Sequence, residues 1–265
     1  MKTITKISTQ KRQGRYNVDL NGKFAFGLAE STIAKFGLVK DRELTDEIIE
    51  EILKADKVAI AYNKAINFIG SRLRSIKQVE DKLKTFDIDP TTISETINIL
   101  KNQKYLDDDQ FAKSYLTTQL NTSDKGISKI RFQLIQDGID GQTTDQLLEQ
   151  VSEEEWQELA NNLATKLSKK NQRQSVNAKK SSIYQTMMTK GFKTNQIEIA
   201  IENLQLENNR DADASKLQRL IESKYDNYQK YENQANYRLK QYLYSKGFLI
   251  EDIDRALDIF LNTKK

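Results

Sequence analysis

The sequence predicts a mainly α fold: tandem three-helix repeats in an elongated curved array, with a small N-terminal β-hairpin module. Three observations carry this. From about Val58 onward, apolar residues recur at three- and four-residue steps, the period of a helix with one buried face. Gly138, Gly191 and Gly247 stand at near-equal intervals, each followed by an apolar residue and a further helical stripe. Near the start, Asn21-Gly22 lies between two segments of alternating polarity, the strongest short signal for a hairpin.

Composition narrows the function classes. In 265 residues there is no cysteine and no histidine, and Pro90 is the single proline. Without cysteine there is neither disulfide nor thiolate chemistry, as suits the cytoplasm. Without histidine the commonest general base and zinc ligand are both missing. The expectation is a protein that is not an enzyme and needs no cofactor or metal. No apolar run approaches the roughly 20 residues of a membrane span, and Met1-Lys2-Thr3-Ile4 does not open a signal peptide.

The elements follow in order. Ile4 to Gln10, Tyr16 to Leu20 and Lys23 to Leu28 read as strands, the last with Phe24, Phe26 and Leu28 on one face. A short helix from Glu30 to Phe36 ends at Gly37-Leu38, and Thr45 introduces an acidic helix from Asp46 to Leu53. Residues 1–57 form this first module. Residues 58–106 make a first repeat: the stripe Ala61, Ala65, Ile66 and Ile69, a joint at Arg72-Leu73-Arg74-Ser75, then Val79 and Leu83. Ser75 is an N-cap with Gln78 as its box partner, and Pro90 fits the first turn of the third helix.

Residues 107–153 repeat the plan. Tyr105 and Leu106 form an apolar stop, and one of Asp107, Asp108 and Asp109 caps the next helix. Capping explains the three acids better than a metal does, because consecutive side chains at a helix start point apart. Phe111, Ala112, Tyr115 and Leu116 make the stripe, Lys125-Gly126 the joint and Gly138-Ile139 the turn. Residues 154–208 hold a third repeat with a long polar joint over 168–182, and residues 209–265 a fourth. Ile88, Phe192 and Phe248 each stand five before an isoleucine (Ile93, Ile197, Ile253), and Thr96-Ile97, Ala200-Ile201 and Ala256-Leu257 follow in register. Asp87 takes the glycine place in the first repeat, where aspartate tolerates the left-handed region better than most residues.

Charge is uneven although the net value is only +4. Lys166, Lys169, Lys170, Arg173, Lys179, Lys180, Lys190 and Lys193 follow one another with no acid between them. Such a run suits an acidic partner surface or phosphates; the plainer reading is a solvated joint padded with Ser, Asn and Gln. Arg72, Arg74, Lys77, Lys82 and Lys84 form a second basic group. Tyr225, Tyr228, Tyr231, Tyr237, Tyr242 and Tyr244 are interleaved with cations, but their spacing places at least half of them in a helical core.

Arg72-Leu73-Arg74-Ser75 with Val79 and Leu83, Tyr105-Leu106-Asp107-Asp108 with Phe111, Ala112 and Tyr115, then Lys125-Gly126, Leu134 and Gly138-Ile139 together resemble the RecX family. The N-terminal Ile4-Thr5-Lys6-Ile7, Arg15-Tyr16 and Gly22 to Gly27 are similar to the β extension of its longer Gram-positive members. The resemblance implies a monomeric, cytoplasmic regulator of RecA. Such a protein lies along the RecA–DNA filament, with single- or double-stranded DNA as a further partner, and lowers RecA activities in recombination, DNA repair and the SOS response. On that reading Arg72, Arg74, Lys77, Lys169, Lys170, Arg173, Lys179, Lys180 and Lys190 are the candidate contact residues. Tyr105, Leu106, Asp107, Asp108, Phe111, Ala112, Tyr115, Gly126, Gly138, Gly191 and Gly247 are structural. The alternative is a helical-repeat protein that binds DNA or RNA directly and without sequence preference.

Overall fold

The computed structural model describes residues 1–11, 13–170, 174–206 and 210–263; Arg173 lies outside them. The chain folds as two compact units, one of residues 1–114 with 134–141 and the other of residues 115–133 with 142–265.

The first unit opens with strands β1 (Lys2–Thr9), β2 (Arg15–Leu20) and β3 (Lys23–Ala29), helix α1 (Glu30–Phe36) and the short strand β4 (Glu43–Leu44). The sheet order is β3-β2-β1-β4, antiparallel throughout. Asn21 and Gly22 both take positive φ at the β2–β3 turn, as the hairpin signal requires. Phe24, Phe26 and Leu28 do not share a face. Val18 pairs with Phe26 but Asp19 with Phe24, so Ala25 is an extra residue. One inserted residue reverses the alternation, and Phe24 turns out to solvent.

The buried face of the sheet, with Ile4, Val18, Leu20 and Leu28, meets Leu38, Leu44 and Ile52. Ile52 belongs to α2 (Asp46–Ile69), capped by Thr45, whose side chain accepts from Ile48 N. This helix corrects the expectation of a short acidic helix ending at Leu53. It runs unbroken through 57/58, where the sequence had suggested a module boundary, because no glycine or proline interrupts it. Asp56, at its middle, is buried and ties the sheet down. Its carboxylate accepts from Arg15 Nη1 at 2.8 Å, from Ala29 N at 2.5 Å and from Thr32 Oγ1 at 3.0 Å.

The C-terminal half of α2 packs with α3 (Ile76–Lys84) and α4 (Pro90–Asn102). Ala61, Ala65, Val79, Leu83, Ile93, Ile97, Leu100 and Leu106 form their common core. Pro90 sits in the first turn of α4, behind the Asp89 cap. The Ser75 cap of α3 is present, with Gln78 N donating to Ser75 Oγ at 3.1 Å, but the reciprocal half of the box is not. Gln78 Nε2 bonds Asp137 Oδ1 at 2.8 Å instead. Of the pair read as an apolar stop, Leu106 is buried while Tyr105 is 51% exposed. A left-handed Lys104 makes the turn and leaves only Leu106 facing the core.

Next come α5 (Asp108–Thr122), α6 (Ile127–Gln136) and α7 (Gly141–Glu149). Asp107 caps α5, accepting from Gln110 N at 2.9 Å. Phe111, Ala112 and Leu116 are buried on α5, and Ile130 and Leu134 on α6.

In the second unit, α8 (Glu153–Lys170), α9 (Val176–Thr189) and α10 (Thr194–Asn203) share a core of Ala160, Leu163, Ala164, Ile183, Met187, Phe192, Ile197 and Ala200. The polar joint expected over 168–182 is largely helix. Ser175 caps α9 by accepting from Ala178 N at 3.2 Å, so Lys179 and Lys180 stand on a helix. Finally α11 (Arg210–Gln229), α12 (Ala235–Ser245) and α13 (Ile250–Thr263) close on Leu217, Leu220, Ile221, Leu239, Leu243, Phe248, Ile253, Leu257 and Phe260. Tyr225, Tyr228 and Tyr242 pack against that core.

Candidate functional site

Joints recur along the chain and engage some of its basic residues, Lys77 and Lys129 among them. At each joint, a glycine turn meets the start of the second helix of the preceding repeat. Gly138 lies against Lys77 of α3, Gly191 against Gly126 and Lys129 at the start of α6, and Gly247 against Ser175 and Ala178 at the start of α9. All three turn glycines have positive φ. There is no room for a side chain. A Cβ would come within 2.7 Å of Lys77 at Gly138, 2.7 Å of Lys129 at Gly191 and 2.2 Å of Ala178 at Gly247.

The polar pairing at these joints is complementary. A helix start has unpaired N–H groups and a helix end has unpaired carbonyls. Gly126 N donates to Lys190 O at 2.9 Å, and Ser128 N to Gly191 O at 3.1 Å. Ser175 N donates to Lys246 O at 3.1 Å, and Ser175 Oγ to Gly247 O at 2.6 Å. At the first joint Lys77 Nζ donates to Gln136 O at 2.7 Å. The helix starts are also pinned from a second side. Asp108 accepts from Ile76 N at 2.8 Å, and Asp213 from Val176 N at 3.1 Å. Burial holds the Asp108 carboxyl above the usual carboxylate range, against the pull of that N–H. Asp87, exposed at φ +56°, stands in the first of the four turns.

On the first unit, the sequence-predicted Arg72, Arg74 and Lys77 fall into different surroundings. Lys77 is engaged in the joint. Arg72 is exposed. Arg74 is partly buried, with its guanidinium 3.9 Å from the Phe68 ring centroid and Nη2 donating to Ser71 Oγ at 3.3 Å. Burial, with the Arg72 charge nearby, holds its pKa below the usual value. Lys82, of the same basic group, lies 6.0 Å from the Phe68 ring centroid and 5.0 Å from that of Phe86, and Lys64, outside the group, lies 3.4 Å from the Phe86 centroid.

On the second unit two lysines of the basic run, Lys166 and Lys190, flank an acid that composition did not single out. Asp124, just before Lys125-Gly126, is 2.8 Å from Lys166 Nζ and 3.8 Å from Lys190 Nζ. The hydrogen bond from Lys166 is the largest influence holding its carboxyl below the usual range, and the charges of Lys190 and Lys170 add to it. Lys169 and Lys170 end α8, where cations suit the negative helix terminus. On α9, Lys179 is half-buried, and burial with the neighbouring Lys216 charge lowers its pKa. Lys180 is partly buried beside it. Lys193, in the same run, is paired with Glu153 at 2.8 Å.

Tandem three-helix repeats behind a four-stranded module define a helical-repeat protein. The regulatory protein RecX N-terminal domain matches residues 2–45, the first RecX three-helix domain 61–100, the second 107–148 and the third 211–257. Helices α8–α10 fall between the second and third matches. The regulatory protein RecX of Leuconostoc mesenteroides is 38% identical over 255 residues, covering 96% of both chains. That of Bacillus subtilis is 35% identical over 262 residues, covering 97% of this chain and 98% of its own. A crystal structure of regulatory protein RecX superposes with a TM-score of 0.62 at 35% identity, over 76% of this chain and all of its own. RecX from Lactobacillus salivarius gives 0.51 at 37%, over 58% of this chain and 99% of its own. The chain belongs to the RecX family of regulatory proteins.

Proposed function

We propose that this protein binds the filament that RecA forms on DNA and lowers its activities in recombination, repair and the SOS response. It acts in the cytoplasm as a regulator without catalysis of its own. The observation that carries the reading is the similarity to regulatory RecX proteins over 96% of the chain, N-terminal sheet included. The chemistry supports it. Lys169, Lys170, Arg173, Lys179, Lys180 and Lys190 supply a run of cations for an acidic protein surface or for phosphates. In this reading the chain divides into the sheet module and four repeats, and each repeat adds a weak contact to the next. Linked contacts on neighbouring protomers multiply affinity without any single one being strong.

The test is co-sedimentation with RecA filaments at physiological salt, comparing the wild type with a triple variant, Lys169→Glu, Lys170→Glu and Arg173→Glu. The variant is expected to keep its helical circular dichroism and to sediment with the filament far less. Equal sedimentation would remove this face from the account.

A further inference from the structure

We propose that Lys179, in the first turn of α9, is an acylation site whose substrate is a small acyl phosphate. The proposal does not rest on the RecA reading, because the modification is a reaction of this chain by itself.

The site is built where the start of α9 meets α11. Asp213 of α11 accepts from Val176 N with one carboxylate oxygen, at 3.1 Å, and from Lys216 Nζ with the other, at 2.9 Å. Val176 and Lys179 stand three residues apart on α9, so they share the helix face that Asp213 approaches. Lys179 is therefore set, half-buried, beside a second ammonium and beside a carboxylate whose two oxygens are already engaged.

These surroundings work against charge on Lys179. Burial is the largest cause lowering its pKa, the Lys216 charge adds to it, and Asp213 opposes them only in part. The positive end of α9 lies within one turn and acts in the same direction. More of this amine is neutral than of a lysine in water, and the neutral amine is the nucleophile. Lysines gain reactivity in this way when they are desolvated or set beside another cation.

The surroundings also select the reagent. An acyl phosphate carries an anion next to its electrophilic carbonyl. Lys216 gives one N–H to Asp213 and keeps others for that anion. The neutral nitrogen of Lys179 attacks the carbonyl carbon. An N–C bond forms, the C–O bond to phosphate breaks, and phosphate leaves with that electron pair. The proton lost by the nitrogen goes to the departing phosphate or to water. The product is an uncharged amide, which erases one positive charge from α9.

The experiment incubates the full chain with acetyl phosphate at mildly alkaline pH and follows each lysine by peptide mass spectrometry. Lys179 is expected to acetylate several-fold faster than Lys169, which is exposed at the end of α8. As pH rises, its rate should level off before that of Lys169. Lys216→Gln removes the neighbouring charge and is expected to slow Lys179 several-fold, whereas Lys216→Arg keeps the charge and should keep the rate. Asp213→Asn keeps an acceptor for Val176 N but removes the charge that favours the ammonium, and is expected to speed the reaction. Inorganic phosphate at matched ionic strength should slow Lys179 and spare Lys169. Thermal melts of each variant separate loss of the site from loss of the fold.

Acetylation of Lys179 no faster than that of Lys169 overturns the proposal. So do folded Lys216→Gln and Asp213→Asn variants whose Lys179 rates match the wild type. A Lys179 rate indifferent to inorganic phosphate also overturns it, because the anion would then have no seat beside the amine.

Discussion

The backbones of Gly126 and Gly191 touch: a Cβ on Gly126 would stand 2.4 Å from the Gly191 carbonyl carbon. Gly191 has in addition a φ of +86°. Gly191→Ala therefore carries two penalties, a strained backbone and a clash with the α6 start. Gly14, at φ +74° with nothing near its Cβ position, carries the first alone. We predict that Gly191→Ala destabilises the protein by about 1–3 kcal/mol more than Gly14→Ala, the usual cost of overpacking. Urea unfolding of the two variants checks this.

Asp108 gives a pH dependence of known sign. Burial raises its carboxyl in the folded chain above the ordinary value. Its favourable contribution is therefore complete below the ordinary carboxylate value and is lost as pH rises through the folded one. Asp108→Asn keeps an acceptor for Ile76 N without a charge to desolvate, so it should flatten the melting temperature across mildly acidic pH. Asp108→Ala leaves that N–H unpaired and should cost about 1–2 kcal/mol at acidic pH, and less as pH rises through the folded value.

Asp56 braces the sheet module against α2 by accepting from Arg15, Ala29 N and Thr32. Its removal strands a partly buried guanidinium and a buried N–H together. Asp56→Ala is expected to destabilise the first unit by about 3–5 kcal/mol. Amide exchange should show the loss first in β2, β3 and α1, and an unperturbed sheet would refute the brace.

Asp124 restrains the second basic face, and its own carboxyl is held below the usual range by Lys166 and its neighbours. It therefore stays ionised through neutral and mildly acidic pH. Asp124→Asn frees Lys166 and Lys190 and should tighten filament binding at low salt, with the gain fading as salt screens it. Co-sedimentation at two salt concentrations checks the direction. Weaker binding at low salt would mean that the carboxylate positions these lysines rather than neutralising them.

Local chemistry was legible in the sequence where one short stretch suffices. The Asn21-Gly22 turn, the Thr45 and Ser75 caps, Pro90 at a helix start and the even spacing of Gly138, Gly191 and Gly247 all follow from backbone and capping rules. The extra residue at Ala25 was not legible, because a bulge is set by pairing with another strand and not by its own sequence. For the same reason Gln78 was misassigned: its better partner, Asp137, lies across a joint. The candidate site was read less completely than the fold. Its lysines stood out as a run, but Asp124, Lys64, Phe68 and Phe86 gain their roles from neighbours far along the chain. Periodicity marks them only as positions on a helix face or a loop.

The most direct test of the central claim is single-strand-dependent ATP hydrolysis by the cognate RecA, with this protein titrated in at physiological salt. A filament regulator is predicted to depress hydrolysis at ratios far below one molecule per RecA monomer, and before the DNA itself is saturated. Hydrolysis that stays unchanged at every ratio, or falls only once the strand is coated, would contradict the account.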